Sequence, residues 1–137
     1  MLRTFDRPCT GTGARSTRLL IVDDHVVVRE GLTQMFAAVS GIEVVGVATD
    51  GRQAVSQADQ LRPDVVLMDI EMPDVDGVEA TRRITATHPA ARVVILTGSD
   101  DHRIQDALRA GAAGYVLKNG DPGQVVRAVQ DARTPAT

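Results

Sequence analysis

The sequence predicts an α/β domain: an open, doubly wound, five-stranded parallel sheet with helices on both faces. Three observations carry that prediction. Five short apolar runs rich in Val, Ile and Leu recur along the chain, and such runs read as strands buried on both sides. Each run precedes a segment whose apolar residues fall at helical spacing, which is the βα alternation of a parallel sheet. Gly or Pro stands at most of the junctions, where turns require them.

Residues 1–16, MLRTFDRPCTGTGARS, show no periodicity and read as a flexible N-terminal arm. The domain itself is expected over residues 17–132. Its first strand is RLLIVD, and Val28, Leu32, Met35, Phe36 and Val39 give the first helix. IEVVGVA is the second strand, followed by a helix on Ala54, Val55, Ala58 and Leu61. DVVLMD comes third, with a helix from about Val78 to His88. ARVVILT is the fourth strand, and Ile104, Ala107 and Leu108 mark a helix that ends at Gly111. GYVLK is the fifth, and Val125, Val126 and Val129 lie on a final helix. Residues 133–137 then read as the start of a linker.

Composition narrows the function. The chain has 137 residues, enough for one domain with its own core. Aromatics make up only 2%, so aliphatic side chains must build that core. A net charge of −3 with scattered Arg argues against direct nucleic-acid binding through a basic face. The single Cys9 excludes an internal disulfide. No apolar run reaches membrane-spanning length, and the N-terminus lacks a signal-peptide core, so a cytoplasmic protein is expected. GTGARST is no phosphate loop: it lacks the Gly-Lys-Ser/Thr ending and precedes the first strand. His25, His88 and His102 have no ligand spacing and are assigned no metal role.

Ligands of such sheets bind beyond the carboxyl ends of the strands, where strand order reverses. With the order 2-1-3-4-5, strand 3 is central. Strand 1 ends in Asp23-Asp24, strand 3 in Asp69, strand 4 in Thr97 and strand 5 in Lys118. Each residue alone has a bland use: helix capping for Asp23 or Asp24, turn formation for Thr97 and Asp69, solvation for Lys118. Together they gather at one sheet edge. Two carboxylates about 4 Å apart repel by roughly 4 kcal/mol at an effective dielectric near 20. A hard divalent cation such as Mg²⁺ is the natural counterweight. A carboxylate can itself accept a phosphoryl group, and an ammonium and a hydroxyl suit its oxygens.

The stretches LLIVDDH, VVLMDIEMPDVDG, VVILTGSDD and AGAAGYVLKNG resemble the receiver domain of bacterial two-component response regulators. DDH, EATRRI and GYVLKN are most similar to the NarL/FixJ (LuxR-type) group. The resemblance implies a flavodoxin/CheY-like fold in which Asp69 is the phosphoacceptor. It implies Mg²⁺ (or Mn²⁺) held directly by Asp24 and Asp69, by Asp23 through water, and by the backbone carbonyl of Glu71. It implies further that Lys118 pairs with the phosphoryl group, that Thr97 is the switch hydroxyl, and that Tyr115 is the aromatic switch residue. The Glu71 side chain is expected to tune the lifetime of the phosphate.

The expected function is therefore a phosphorelay switch driven by a sensor histidine kinase, not an enzyme with independent turnover. A homodimer on phosphorylation is a further expectation. DNA binding would come only through a C-terminal helix-turn-helix output domain outside this chain. Two alternatives stand beside this reading. A haloacid-dehalogenase-like phosphohydrolase also uses Asp, Thr and Lys, but needs Asp-x-Asp on its first strand, where this chain has Asp23-Asp24-His25. A stand-alone receiver acting by protein–protein contact is the other.

Overall fold

The computed structural model describes residues 16–72, 74–98 and 102–133. All but the last residue of the predicted arm lies outside these, as do Cys9, Pro73, Ser99 and residues 134–137 of the predicted linker. Strand β1 (Thr17–Val22) leads into α1 (Val26–Ala37), and β2 (Ile42–Ala48) into α2 (Gly51–Leu61). Strand β3 (Val65–Asp69) leads into α3 (Gly77–Thr87), β4 (Arg92–Thr97) into α4 (His102–Arg109), and β5 (Gly114–Leu117) into α5 (Pro122–Arg133). The strands are all parallel in the order β2-β1-β3-β4-β5. The order therefore reverses between β1 and β3.

Successive strand side chains point to opposite faces, and that alternation sorts the core into two layers. Leu19, Ile21, Val65, Leu67, Val94, Leu96 and Val116 pack on one face with Phe36 of α1 and Val125 and Val129 of α5. Leu20, Val22, Val66, Met68, Val93 and Ile95 pack on the other with Ala54, Ala58, Ala80, Ile84 and Ala107 of α2, α3 and α4. The small residues on that second face let α2 and α3 lie close to the sheet. Each fully buried Leu or Ile contributes about 1.5–3 kcal/mol relative to exposure.

Burial on both faces holds for β1, β3 and β4. It fails at the sheet edges: only Ala48 of β2 and Val116 of β5 are buried. An edge strand has one flank without a neighbour, so its apolar sequence reports propensity more than burial.

Element ends shift by a residue or two. Helix α1 stops before Val39, α4 stops at Arg109, and Lys118 falls just beyond β5. Asp50 and Asp76 cap α2 and α3, accepting from the N–H of Gln53 at 2.8 Å and of Glu79 at 3.0 Å. The start of α3 is pressed against the end of β3. A Cβ on Gly77 would sit 2.3 Å from the Asp69 carbonyl oxygen, so only glycine fits there.

Candidate functional site

The site follows from where the strands stop. Val22 pairs with Met68, so Asp23 and Asp69 emerge side by side at the point where strand order reverses. Asp23 continues the alternation of Leu19 and Ile21, Asp69 that of Val65 and Leu67, and Lys118 that of Val116. All three belong to the α1/α5 face. Thr97 continues Val93 and Ile95, one step out of phase with them.

Lys118 is fixed beside this group by its backbone, whose N–H donates to the Thr97 carbonyl at 2.7 Å. Its ammonium stands 3.0 Å from Asp23 Oδ2 and 3.3 Å from Asp69 Oδ1. The Glu71 backbone N–H also donates to Asp69 Oδ1, at 3.2 Å. Asp69 Oδ2 is buried and has no hydrogen-bond partner among the described residues. One carboxylate oxygen is held; the other is free.

The electrostatics are unbalanced. Asp23 is fully buried and Asp69 is 2% exposed, yet they share one cation. Burial, and then the charge of Asp23, push the Asp69 carboxyl up to about 6, against the opposing pull of Lys118 and the Glu71 N–H. Burial also works against the charge of Lys118. The hydrogen bond to Asp23 and the charges of both acids outweigh it and hold the ammonium above the usual lysine range. With Asp24 included, three carboxylates face one ammonium, which leaves two negative charges in excess.

That excess of negative charge on hard oxygen donors fits a divalent cation. Asp23, Asp24, His25 and Asp69 each offer a donor atom within 4.8 Å of all the others. His25 is the member that sequence spacing missed. Its ring Nδ1 lies 3.1 Å from both Asp23 Oδ1 and Asp24 Oδ1. It is also the N-cap of α1, without a side-chain cap bond. Asp23 and Asp24 therefore do not cap this helix. Asp23 Oδ1 instead accepts the His25 backbone N–H at 2.9 Å, and a guanidinium N–H of Arg29 donates to the Asp23 carbonyl at 2.8 Å.

The remaining predicted residues lie on β4, on β5 and in the loop after β3. Thr97 is 2% exposed at the end of β4. Tyr115 is 44% exposed and lines an open groove between β5 and α5 with Leu117, Gln124 and Arg127. The Glu71 side chain points outward and pairs with Arg103 of α4. Arg103 carried no sequence signal, because the pair spans 32 residues.

The family model for the response regulator receiver domain matches residues 19–130. Response regulator GacA of Pseudomonas viridiflava is 43% identical over 114 residues, covering 82% of this chain and 53% of its own. The chain thus spans about half the length of the curated relatives it matches. A LuxR-family response regulator from Aurantimonas sp. superposes with a TM-score of 0.82 at 37% identity, covering 86% of this chain and 85% of that one. The matched chain of the CheX–CheY–BeF3–Mg²⁺ complex from Borrelia burgdorferi gives a TM-score of 0.81 at 30% identity, with 90% and 93% covered. Among the described residues no helix is long and apolar enough to cross a membrane.

Proposed function

The chain belongs to the family of response regulator receiver domains, and from that premise we propose that Asp69 is its phosphoacceptor. One observation supports this above the others. Asp69 Oδ1 is held by Lys118 and the Glu71 N–H, while the buried Oδ2 has no partner. Oδ2 is then the nucleophile. It forms a bond to phosphorus as the bond to the donor breaks, and the donor's imidazole, or acetate for acetyl phosphate, leaves with the electron pair.

Mg²⁺ or Mn²⁺ would be held by Asp24, Asp69 and the Glu71 carbonyl, with Asp23 acting through water. When bound it would neutralise charge gathering on the phosphoryl oxygens; the CheY neighbour from Borrelia burgdorferi is itself a complex with BeF3 and Mg²⁺. Lys118, already charged and anchored, turns from Asp69 Oδ1 to a phosphoryl oxygen. The Thr97 hydroxyl donates to another. The space that Thr97 leaves admits the Tyr115 ring, and the α4–β5–α5 face is reshaped. The Glu71–Arg103 pair stands at the phosphoryl entrance and tunes the lifetime of the acyl phosphate.

The proposal extends to the whole protein as follows. It is a NarL/FixJ-type regulator in the cytoplasm, phosphorylated by a sensor histidine kinase, dimerising on phosphorylation and acting on DNA through a further output domain. The test is incubation with acetyl phosphate and Mg²⁺, followed by intact-mass measurement. One phosphoryl group is expected, and none on Asp69→Asn. An unmodified wild type, or a labelled Asp69→Asn, would sink the assignment.

A further inference from the structure

We propose that Gly51, at the start of α2, is a positioning residue for the acidic centre: its bare backbone seats the Val75 carbonyl and so fixes the turn that holds Glu71 beside Asp69. The inference rests on the phosphoacceptor reading above and adds a residue that acts on the site from a neighbouring helix.

Gly51 has no local need to be glycine. It is the first residue of α2, where glycine gives up helix propensity. Its φ lies outside the left-handed region, which among the described glycines holds only Gly41 and Gly111. Asp50 already caps the helix, accepting the Gln53 N–H. The reason lies across the gap to the β3–α3 turn. A Cβ on Gly51 would stand 2.1 Å from the Val75 carbonyl oxygen and 2.8 Å from its carbonyl carbon. Both are backbone atoms, so no side-chain rotation relieves the overlap. Gly31 of α1 shows the contrast, with nothing within 4 Å of an added Cβ.

The seat matters because the same turn is pinned at its base. The Gly77 N–H donates to the Ile70 carbonyl at 3.2 Å, and the Ile70 N–H donates to the Leu96 carbonyl at 3.2 Å. Gly77 is itself pressed on the Asp69 carbonyl. Val75 packs against the core layer beneath α2 and α3. Two glycines thus clamp the turn, Gly77 against β3 and Gly51 against α2. Within that closed turn the Glu71 N–H donates to Asp69 Oδ1 at 3.2 Å, the bond that leaves Oδ2 as the open oxygen. A methyl on Gly51 would drive the Val75 carbonyl aside by about 1 Å, and a misplacement of that size can slow a positioned reaction about a hundredfold.

The test compares Gly51→Ala with Gly46→Ala. An added Cβ on Gly46, in edge strand β2, meets side chains instead of backbone, Gln57 Oε1 at 2.6 Å and Leu61 Cδ1 at 2.7 Å. Each chain is kept where circular dichroism shows it folded. Acetyl phosphate labelling is timed by intact mass, and free Mn²⁺ is counted by electron paramagnetic resonance. Gly51→Ala is expected to label about tenfold or more slowly and to bind Mn²⁺ about threefold or more weakly. Gly46→Ala is expected to stay within about twofold of wild type in both. The labelling comparison decides it alone. Wild-type labelling by Gly51→Ala would overturn the inference, as would equal slowing of Gly46→Ala, which would trace the effect to stability. Should Gly51→Ala fail to fold, Val75→Gly takes its place, since it keeps Gly51 and loosens the seated backbone. Labelling slowed by about threefold or more then supports the inference, and unchanged labelling overturns it. If the wild type is labelled and Gly51→Ala keeps pace, only this inference falls. A wild type that takes no phosphoryl group removes the functional reading, and this inference with it.

Discussion

The two ends of the central sheet handle charge in opposite ways. At the amino end, the Asp64 carboxylate accepts the Arg18 N–H at 2.9 Å, and the Asp64 N–H donates to the Arg18 carbonyl at 2.8 Å. The Arg18 guanidinium donates in turn to the carbonyls of Leu61 and Arg62, and the Asp64 carbonyl accepts from Arg92 at 2.9 Å. Each group there has a partner of the right kind. At the carboxyl end, Asp23 and Asp69 share one lysine, and Asp69 Oδ2 has no hydrogen-bond partner among the described residues. One end ties strands together; the other holds an anionic site in readiness. The shortfall is of the kind a bound cation would offset.

The sharpest way to break this contrast is Lys118→Met. It leaves two buried carboxylates facing each other, and loss of one partner of a buried pair costs about 3 kcal/mol or more. Chemical denaturation of the metal-free chain should show a markedly lower midpoint, with added divalent metal restoring part of it. Asp69→Asn acts in the other direction. Removing one of two crowded acids should raise the stability of the metal-free chain by about 1–3 kcal/mol, even as it abolishes labelling. A destabilised Asp69→Asn would mean that the carboxyl end is not under electrostatic strain.

The pH dependence has the same origin and a definite sign. Asp69 is pushed up to about 6 from an ordinary 3.8, so between these values the native state keeps a proton that the unfolded chain has released. Its destabilising contribution is fully present above pH 6, shrinks as pH falls through 6, and is gone below 3.8. In chelator, the stability gap between Asp69→Asn and wild type should therefore narrow from pH 7 to pH 5. A constant gap would refute the coupling.

At the amino end, Asp64→Ala should lower stability by about 1–2 kcal/mol through loss of the carboxylate that accepts the Arg18 backbone N–H and leave acetyl phosphate labelling unchanged. Smallest of all, Arg103→Ala removes a largely exposed pairing with Glu71 and should change stability by less than about 1 kcal/mol. Its readout is the half-life of the phosphorylated chain, which should shift without loss of labelling.

Much of this was legible from residue order. Apolar runs located the five strands, and the residues ending the strands foretold the cluster of Asp23, Asp24, Asp69 and Lys118, because a parallel sheet brings its carboxyl ends together. Three things were not legible. The exposure of β2 and β5 depends on their place at the edges, which composition does not reveal. The ring of His25 joins the acids because the chain turns sharply after β1, and periodicity says nothing about where a side chain outside a helix or strand points. Arg103 meets Glu71 only because α4 lies beside the β3–α3 turn, a tertiary fact. The common cause is that spacing reports burial well and direction poorly.

The two-layer core has a consequence for how the site communicates. Strands β1, β3 and β4 are packed with aliphatic side chains on both faces, and the buried polar side chains Asp23, Asp69 and Thr97 stand at their carboxyl ends. On the proposed reading, a change of charge at Asp69 meets its polar neighbours at the rim and not within the aliphatic layers. Those neighbours are the strand and loop ends where Thr97, Lys118 and Glu71 stand. The proposed signal path is a perimeter.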